Sequence, residues 1–171
     1  MGDNTDSNRI TGNNGSCLSV PGDKAGIYRS GRGISIINNS VPDETFPRTD
    51  PTAHNTPGPD GTLIQGNTIE GNNADGIYVK LTSNTSVQNN TITNSLENGI
   101  LWVGSIGGSI QGNTVTNNQQ NGLRVEPHYG SDASPNTADD DHLNGDLLIG
   151  TTSANTFNGN GQSGVYIIND D

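Results

Sequence analysis

The chain has 171 residues, of which 27% are hydrophobic and 4% aromatic, well below the apolar content of a usual globular domain. Its formal net charge of -11, from 18 acidic and 7 basic residues, disfavours binding to nucleic acid or to an anionic membrane surface. No apolar stretch is long enough to span a membrane, so we expect no membrane insertion. A composition so rich in Gly and Asn supports a fold only if a repeat places the few apolar residues regularly.

Such a repeat is present, and its period is 23 residues in three separate columns. The apolar members of these columns are Ile64, Val87 and Ile110; Ile69, Ile92 and Val115; and Ile77, Ile100 and Leu123. The units read as short strands, such as 63–65 and 77–79, broken by Gly and Asn that tolerate the positive φ of tight corners. Helical repeats would show a 3.6-residue periodicity instead. The pattern predicts an all-β solenoid in which successive coils stack in parallel.

In chain order, the Ile column begins at Ile10 and continues through Val41 and the three regular coils to Phe157. The residue two positions earlier is Asn in every predicted coil: Asn8, Asn39, Asn67, Asn90, Asn113 and Asn155. Stacked carboxamides can satisfy one another and the backbone at an inward corner, so we predict a structural Asn ladder. A second, looser series (Asn13, Asn72, Asn118 and Asn160) is interpreted as turn residues.

The units Gly66 to Val79 and Ile149 to Asn160 resemble those of the parallel β-helix repeat proteins. That family includes pectate and other polysaccharide lyases, mannuronan epimerases, NosD-like carbohydrate-binding modules and large bacterial surface proteins. The resemblance and the crossover preference imply a right-handed β-helix. We therefore predict a single domain, residues 1–171, of six to seven coils with about 23 residues per coil. Since neither end offers a helical cap, we expect a fragment of a longer protein or a unit that stacks end to end on copies of itself.

Two insertions interrupt the predicted coils, one at residues 42–60 and one at residues 127–144. The first is rich in Pro and is expected to replace one Gly-Ile strand, and the second leaves directly after the strand 123–126. Both would border one face of the solenoid, where they could wall a groove. Period-two alternation places six outward residues on that face as candidate ligand contacts: Tyr78, Lys80, Leu101, Val103, Arg124 and Glu126. Trp102 falls in the inward column and is predicted to belong to the core.

From residue 49 onward Lys80 and Arg124 are the only basic residues, and both are predicted on this face. They could form a local site for an anionic sugar, or serve only as solubilising residues on an exposed strand. The segment Glu126-Pro127-His128-Tyr129 resembles the Asp-Pro-His motif of mannuronan epimerases, which implies Glu126, His128 and Tyr129 as catalytic candidates. Glu replaces the motif's Asp, and the Tyr-Gly that should precede the motif follows it. Asp132, Asp139, Asp140 and Asp141 could bind calcium or form a solvated acidic loop.

Two functions remain open from the sequence. One is a non-catalytic extracellular or cell-surface module, with a structural role and binding of acidic polysaccharide. The other is a lyase or uronate epimerase acting on acidic glycans. The chain length and the incomplete set of acid, base and neutralising residues favour the first. A secreted location is expected for either, although Met1 to Thr5 lack the basic and apolar regions of a signal peptide.

Overall fold

The computed structural model of the chain describes residues 9–11, 32–37, 61–80, 82, 84–105, 107–127 and 147–168. Within these residues the regular structure consists of fourteen short strands. The strands are β1 (Arg9–Thr11), β2 (Ile34–Ile37), β3 (Leu63–Gln65), β4 (Thr68–Glu70), β5 (Ile77–Lys80), β6 (Ser86–Gln88), β7 (Thr91–Thr93), β8 (Ile100–Val103), β9 (Ser109–Gln111), β10 (Thr114–Thr116), β11 (Leu123–Glu126), β12 (Leu148–Ile149), β13 (Thr156–Asn158) and β14 (Val165–Ile167). No described residue belongs to a helix that could span a membrane.

The strands stack into three parallel sheets, of which sheets A and B have five strands each and sheet C has four. Sheet A has the order β1-β4-β7-β10-β13, sheet B the order β2-β5-β8-β11-β14, and sheet C the order β3-β6-β9-β12. Equivalent residues of successive coils are opposite one another, as in Ile69↔Ile92 and Ile92↔Val115. The predicted 23-residue register and the parallel β-helix are therefore confirmed.

The core is a thin column of aliphatic side chains and one Trp between the three sheets. Its buried members are Ile64, Ile69, Ile77, Val79, Val87, Ile92, Ile100, Trp102, Ile110, Val115, Leu123 and Val125. Trp102 is fully buried, as its inward position predicted. Each strand contributes only one or two apolar residues, which explains how 27% hydrophobic residues suffice for this fold. The low apolar content thus reflects the narrow cross-section of a solenoid.

The corners between sheets fall on Gly and Asn residues with positive φ. At the corner before sheet A, Gly66, Asn89 and Gly112 have φ of 68°, 54° and 62°. Only Gly and, to a lesser degree, Asn adopt this left-handed conformation readily. A different constraint holds Gly76 at the start of sheet B, where an added Cβ would lie 2.5 Å from Ile92 Cγ2. The glycines therefore mark both the tight corners and the closest contacts between coils.

The first coil departs from the prediction. Strand β1 pairs directly with β4, with Ile10 opposite Ile69, so no rung stands between these two residues. The prediction that Val41 lies between them in the stack is therefore wrong, although Val41 itself is outside the described residues. Strand β2, which carries Ile34, pairs with β5 and precedes the first insertion, so that insertion does not replace the Gly-Ile strand. The described strands form five coils, fewer than the six to seven predicted.

The predicted Asn ladder is present at the corner between sheets C and A. In each rung, the backbone N and the side-chain Nδ2 donate to Oδ1 of the next Asn; for Asn90 and Asn113 these distances are 2.9 and 3.0 Å. The same pattern joins Asn67 to Asn90 and Asn113 to Asn155. The Nδ2 atom of Asn113 also donates to the carbonyl of Val87 at 2.8 Å. Asn8 and Asn39 lie outside the described residues.

A second ladder runs along the series that the sequence assigned to turns. Asn118 donates from its backbone N and its Nδ2 to Oδ1 of Asn160, at 3.1 and 3.0 Å. The backbone N of Ser95 donates to Oδ1 of Asn118 at 3.0 Å. Ser95 interrupts the carboxamide series, and the buried Nδ2 of Asn72 in the preceding coil has no hydrogen-bond partner among the described residues. The interpretation as simple turn residues was therefore incomplete.

Replacing Asn113 with Ala should lower the free energy of unfolding by about 3 kcal/mol, because it leaves the buried backbone N and Nδ2 of Asn90 without their acceptor and removes the side-chain donor to the carbonyl of Val87. Thermal and urea unfolding followed by circular dichroism would measure the change. The control is Asn73→Ala, which removes an exposed Asn and should change stability by no more than about 0.5 kcal/mol. Equal losses in the two variants would contradict a structural ladder.

Replacing Ser95 with Asn should raise the free energy of unfolding by about 1 kcal/mol, because the new Oδ1 can accept a hydrogen bond from Nδ2 of Asn72. The position is equivalent to one that holds a carboxamide, since Ser95 lies beside Gly76 as Asn118 lies beside Gly99. The same unfolding measurement tests this, with Ser95→Ala as the comparison. A Ser95→Asn variant less stable than the Ser95→Ala variant would show that the corner cannot accept the carboxamide.

Candidate functional site

The outer face of sheet B carries the six predicted ligand-binding residues in two columns. Register places Ser35, Tyr78, Leu101, Arg124 and Tyr166 opposite one another in the first column. Lys80, Val103 and Glu126 follow in the second column. Alternation along β5 and β8 places Ile77, Val79, Ile100 and Trp102 in the core. The residues of both columns therefore lie on the outer face of the sheet.

Two of the six predicted residues are not accessible. Tyr78 is only 9% exposed, and the guanidinium carbon of Arg32 lies 3.5 Å from the centroid of its ring. Val103, between Lys80 and Glu126, is 6% exposed. The ring of Tyr78 is therefore covered by a cation from the preceding coil and offers little surface to a ligand. The remaining four residues, Lys80, Leu101, Arg124 and Glu126, are partly exposed.

Arg32 also closes a third polar ladder, which the sequence reading missed. This ladder uses the residue before each Gly of sheet B: Arg32, Asp75, Asn98, Asn121 and Ser163. The backbone N and Nδ2 of Asn98 donate to Oδ1 of Asp75 at 3.2 and 3.0 Å, and Arg32 Nε approaches Oδ2 at 3.4 Å. Asp75 is fully buried and the Arg32 side chain is 8% exposed. The ion pair fixes Arg32 over Tyr78.

Arg124 is the most accessible cation with a defined geometry on this face. Its Nε donates to Oε2 of Glu126 at 2.6 Å, two residues along the same strand. The ring of Tyr166 in the next coil lies 5.8 Å from the guanidinium carbon. None of the contacts that Arg124 makes with described residues uses its two terminal amino groups, and one third of its side chain is exposed. The group is thus held in place with two donors directed away from the Glu126 contact.

Tyr166 is a further residue on this face that the sequence reading did not single out. It is 46% exposed and follows Gly164 and Val165 as Arg124 follows Gly122 and Leu123. The alignment of Gly164 with Gly122 was the signal that could have identified it. Arg32 was equally accessible to that reasoning, since Arg32-Gly33-Ile34 aligns with Asp75-Gly76-Ile77. Arg32 lies in the first described coil and Tyr166 in the last, where equivalent residues of neighbouring coils are no longer 23 residues apart.

The charges of the described residues balance. They include four basic residues, Arg9, Arg32, Lys80 and Arg124, and four acidic residues, Glu70, Asp75, Glu97 and Glu126. The rest of the chain holds the other 3 basic and 14 acidic residues, which account for the net charge of -11. The described residues are therefore formally neutral in sum, and three of their four basic residues lie at sheet B.

Several predicted site residues fall outside the described part of the chain. Among them are the catalytic candidates His128 and Tyr129 and the acidic candidates Asp132, Asp139, Asp140 and Asp141. No group of three metal-ligating side chains occurs within the described residues. Both predicted insertions follow a strand of sheet B and precede one of sheet C, since they lie between β2 and β3 and between β11 and β12. Both insertions thus fall at the same place in the order of strands, and the expectation that they border one face and wall a groove stays a prediction.

The last described rung is incompletely covered. Val165 and Ile167 continue the two inward columns of sheet B but are 41% and 57% exposed. In the coils before them, Leu123 and Val125 are buried. The expectation of end-to-end stacking or of a longer protein concerns what covers this rung, and it stays a prediction.

Stacked coils of three parallel sheets with Asn ladders at their corners define a parallel β-helix protein. The chain belongs to the right-handed beta helix family, whose family model, "Right handed beta helix region", matches residues 2–161. No curated protein matches the chain in sequence.

In structure the chain is similar to the periplasmic alginate epimerase AlgG, with a TM-score of 0.50 and 13% sequence identity over 94% of this chain. A mutant of that epimerase aligns with a TM-score of 0.49 and 15% identity over 95% of the chain. In both comparisons the chain spans 38% of the epimerase. At these identities the likeness is one of fold.

Replacing Arg32 with Ala should lower the free energy of unfolding by about 3 kcal/mol, because it leaves the buried carboxylate of Asp75 without its cation. Adding Asp75→Asn should recover most of this loss, since a carboxamide continues the ladder to Asn98 without a charge. Urea unfolding of the two single variants and the double variant measures the coupling. Additive losses in the double variant would show that the ion pair does not hold the first coil in place.

Proposed function

We propose that the chain is a non-catalytic β-helix module of an exported protein and that it binds acidic polysaccharide along the outer face of sheet B. The observation that carries the proposal is the arrangement of Arg124. Its guanidinium is fixed by Glu126 through Nε, flanked by Leu101 and Tyr166, and keeps its terminal amino groups clear of the described contacts. Two parallel N–H donors of this kind match the two oxygens of a carboxylate.

The neighbouring residues suit the rest of a sugar. Leu101 precedes Arg124 in the column and Tyr166 follows it, so that apolar surface lies on both sides of the guanidinium. The face of a sugar ring carries C–H groups that can pack on such surface. Successive rungs are about 4.8 Å apart, which is close to the length of one sugar unit in an extended glycan. A chain running along the stack would therefore place successive sugar units near Leu101, Arg124 and Tyr166.

The charge distribution is compatible with an anionic ligand despite the net charge of -11. The described residues are formally neutral in sum, and Arg32, Lys80 and Arg124 all lie at sheet B. A partly exposed guanidinium attracts an anionic ligand locally when the acidic residues of the chain are distant from it or are screened by salt. The fold shared with a periplasmic alginate epimerase is consistent with an exported protein that meets such glycans. The acidic residues of 127–144 could add calcium-dependent contacts to the same polymers.

The alternative function is a uronate epimerase or lyase, and one observation favours it. Glu126, the first residue of the Glu126-Pro127-His128 segment, is the last residue of strand β11, and it lies on the same outer face as Arg124 and Lys80. Against it, the Glu126 carboxylate accepts a hydrogen bond from Nε of Arg124, so this catalytic candidate is already engaged within its own strand. Proton abstraction requires the acid and base groups to contact the substrate.

Replacing Arg124 with Gln should weaken binding to alginate or polygalacturonate by about tenfold or more, because a charge-assisted bidentate contact is lost. Arg124→Lys should recover little of the affinity, since an ammonium cannot present two parallel donors. Titration calorimetry at two salt concentrations, with and without calcium, measures the effect. Gln88→Ala on the outer face of sheet C is the control and should bind as the unmodified chain does.

The same incubations decide between binding and turnover. Absorbance near 235 nm reports the unsaturated product of a lyase, and proton NMR reports epimerised residues. Turnover lost on replacing His128 with Ala would establish the enzyme instead of the binding module. Equal affinity of the unmodified chain and Arg124→Gln for every acidic glycan would rule out Arg124 as the binding group.

A further inference from the structure

Asn-Gly pairs are the sites at which an asparagine most readily loses its amide, because no Cβ of the following residue obstructs the reaction. The backbone N of the glycine attacks Cγ of the asparagine, ammonia leaves and a cyclic imide forms. Water then opens the imide to aspartate or to isoaspartate, in which the backbone runs through the former side chain. The described residues contain four such pairs, whose asparagines are Asn98, Asn121, Asn158 and Asn160.

The third ladder engages both reacting groups at Asn98 and Asn121. These residues are only 3% and 2% exposed. Nδ2 of Asn98 donates to Oδ1 of Asp75 at 3.0 Å, and Nδ2 of Asn121 donates to Oδ1 of Asn98 at 2.9 Å. The glycine amides are engaged as well, since the N atoms of Gly99 and Gly122 each donate to a carbonyl of the following coil at 2.9 Å. Neither pair can react without breaking these hydrogen bonds.

The second ladder protects Asn160 in the same way. Its Oδ1 accepts from the backbone N and Nδ2 of Asn118, and its own Nδ2 donates to the carbonyl of Val115 at 3.1 Å. The N of Gly161 donates to the carbonyl of Asn118 at 2.8 Å. Three of the four described pairs are therefore held by ladder contacts on the carboxamide and by a hydrogen bond on the attacking amide.

Asn158 differs from the other three in both groups. It is the last residue of β13, and its side chain is exposed on the outer side of sheet A. Within the described part of the chain, neither its carboxamide nor the backbone N of Gly159 has a hydrogen-bond partner. The equivalent N in the preceding coil, that of Asn117, donates to the carbonyl of Asn158 at 3.2 Å. Since β13 is the last strand in the described order of sheet A, the N of Gly159 has no corresponding carbonyl beside it.

The backbone at this pair can also turn into the geometry that the reaction requires. An extended strand keeps the following N away from Cγ, so the chain must open locally before the imide forms. Strand β13 is hydrogen-bonded along one edge only, and Gly159 has a φ of 64°. Opening an end rung breaks fewer hydrogen bonds than opening a strand between two others, so this opening has a low free energy.

We propose that Asn158 is a site of spontaneous deamidation in the folded chain and that the ladders protect the other three described pairs. The product carries a new carboxylate on the outer side of sheet A, opposite Thr116. In the isoaspartate product the backbone gains a methylene group immediately before Gly159, two residues from the ladder member Asn160. The hydrogen bonds from Asn118 to Asn160 should weaken, and the last coil should loosen first as the protein ages.

The test is incubation of the full chain at mildly alkaline pH, below its unfolding temperature and at low concentration, so that copies do not stack on the last rung. Mass spectrometry of proteolytic peptides follows the replacement of NH2 by OH, and fragmentation separates Asn158 from Asn160. In the folded chain Asn158 should react about tenfold faster or more than the other three. In urea, which removes the ladders, all four should react at similar rates. Equal rates in the folded chain, or reaction of Asn158 only in urea, would overturn the proposal.

The matched control is Asn158→Thr, which gives β13 the residue that Thr116 supplies at the same position of β10. This variant should fold normally and show no early change in mass, and an early change that persists in it would refute the assignment. Gly159→Ala would be a poor control, because its Cβ would lie 2.5 Å from Oδ1 of Asn117.

Unfolding measurements test the effect on the last coil. The aged chain should be less stable than the fresh chain, whereas Asn158→Asp, which has the charge without the added methylene, should match the fresh chain. Equal stability of the aged and fresh chains would contradict the loosening of the last coil.

Discussion

The fold depends on the hydrogen bonds between equivalent carboxamides of successive coils. A solenoid coil turns its backbone sharply at each corner, and a buried corner leaves N–H and C=O groups that no sheet can pair. At the corner before sheet A, each Asn satisfies its neighbour's backbone N and a carbonyl of the preceding coil at once, as Asn113 does for Asn90 and Val87. The thin apolar column inside could not offset such groups if they were left unpaired. The ladder therefore makes a core of this low apolar content sufficient.

The hydrogen bonds of each ladder are donated in one direction along the stack. This direction explains why a carboxylate, that of Asp75, can replace a carboxamide in one of the ladders. In the first two ladders, each residue donates to the next coil along the chain, as Asn67 does to Asn90 and Asn118 does to Asn160. In the third ladder, the donation runs backwards, from Asn121 to Asn98 and from Asn98 to Asp75. A carboxylate only accepts, so Asp75 can stand only where the donors converge. Arg32 supplies the donor from the other side and neutralises the charge.

The sequence predicted the fold wherever the period of 23 residues holds without interruption. Between residues 64 and 126 the strands, the inward columns, Trp102 and the Asn ladder were all confirmed. The failure at Val41 has a simple reason: Asn-Ser-Val is a short match in a chain rich in Asn and Ser, and pairing is decided by the whole strand. Ile34–Ile37 fits sheet B with four residues in register, and it leaves β1 to pair directly with β4.

The candidate site was predicted less well, because exposure depends on residues from other coils. Alternation correctly placed Tyr78 on the outer side of β5 but could not show that Arg32, 46 residues earlier, covers its ring. The pairing of Arg124 with Glu126 was also not predicted, although two residues separated by two positions in a strand always have their side chains on one face. Column alignment gives the direction of a side chain, whereas its accessibility is set by long side chains reaching across rungs.

The architecture separates stability from surface chemistry. Inward positions and corners are committed to the core and the ladders, whereas the outward positions of the strands contribute little to either. The outward residues of β7 and β10 in sheet A can therefore all be Thr while sheet B carries guanidinium and aromatic groups, although both sheets are built from the same coils. Since the coils repeat, a single favourable outward residue becomes a row at the spacing of the stack. Such rows suit partners that are themselves periodic, as polysaccharide chains are and compact small molecules are not.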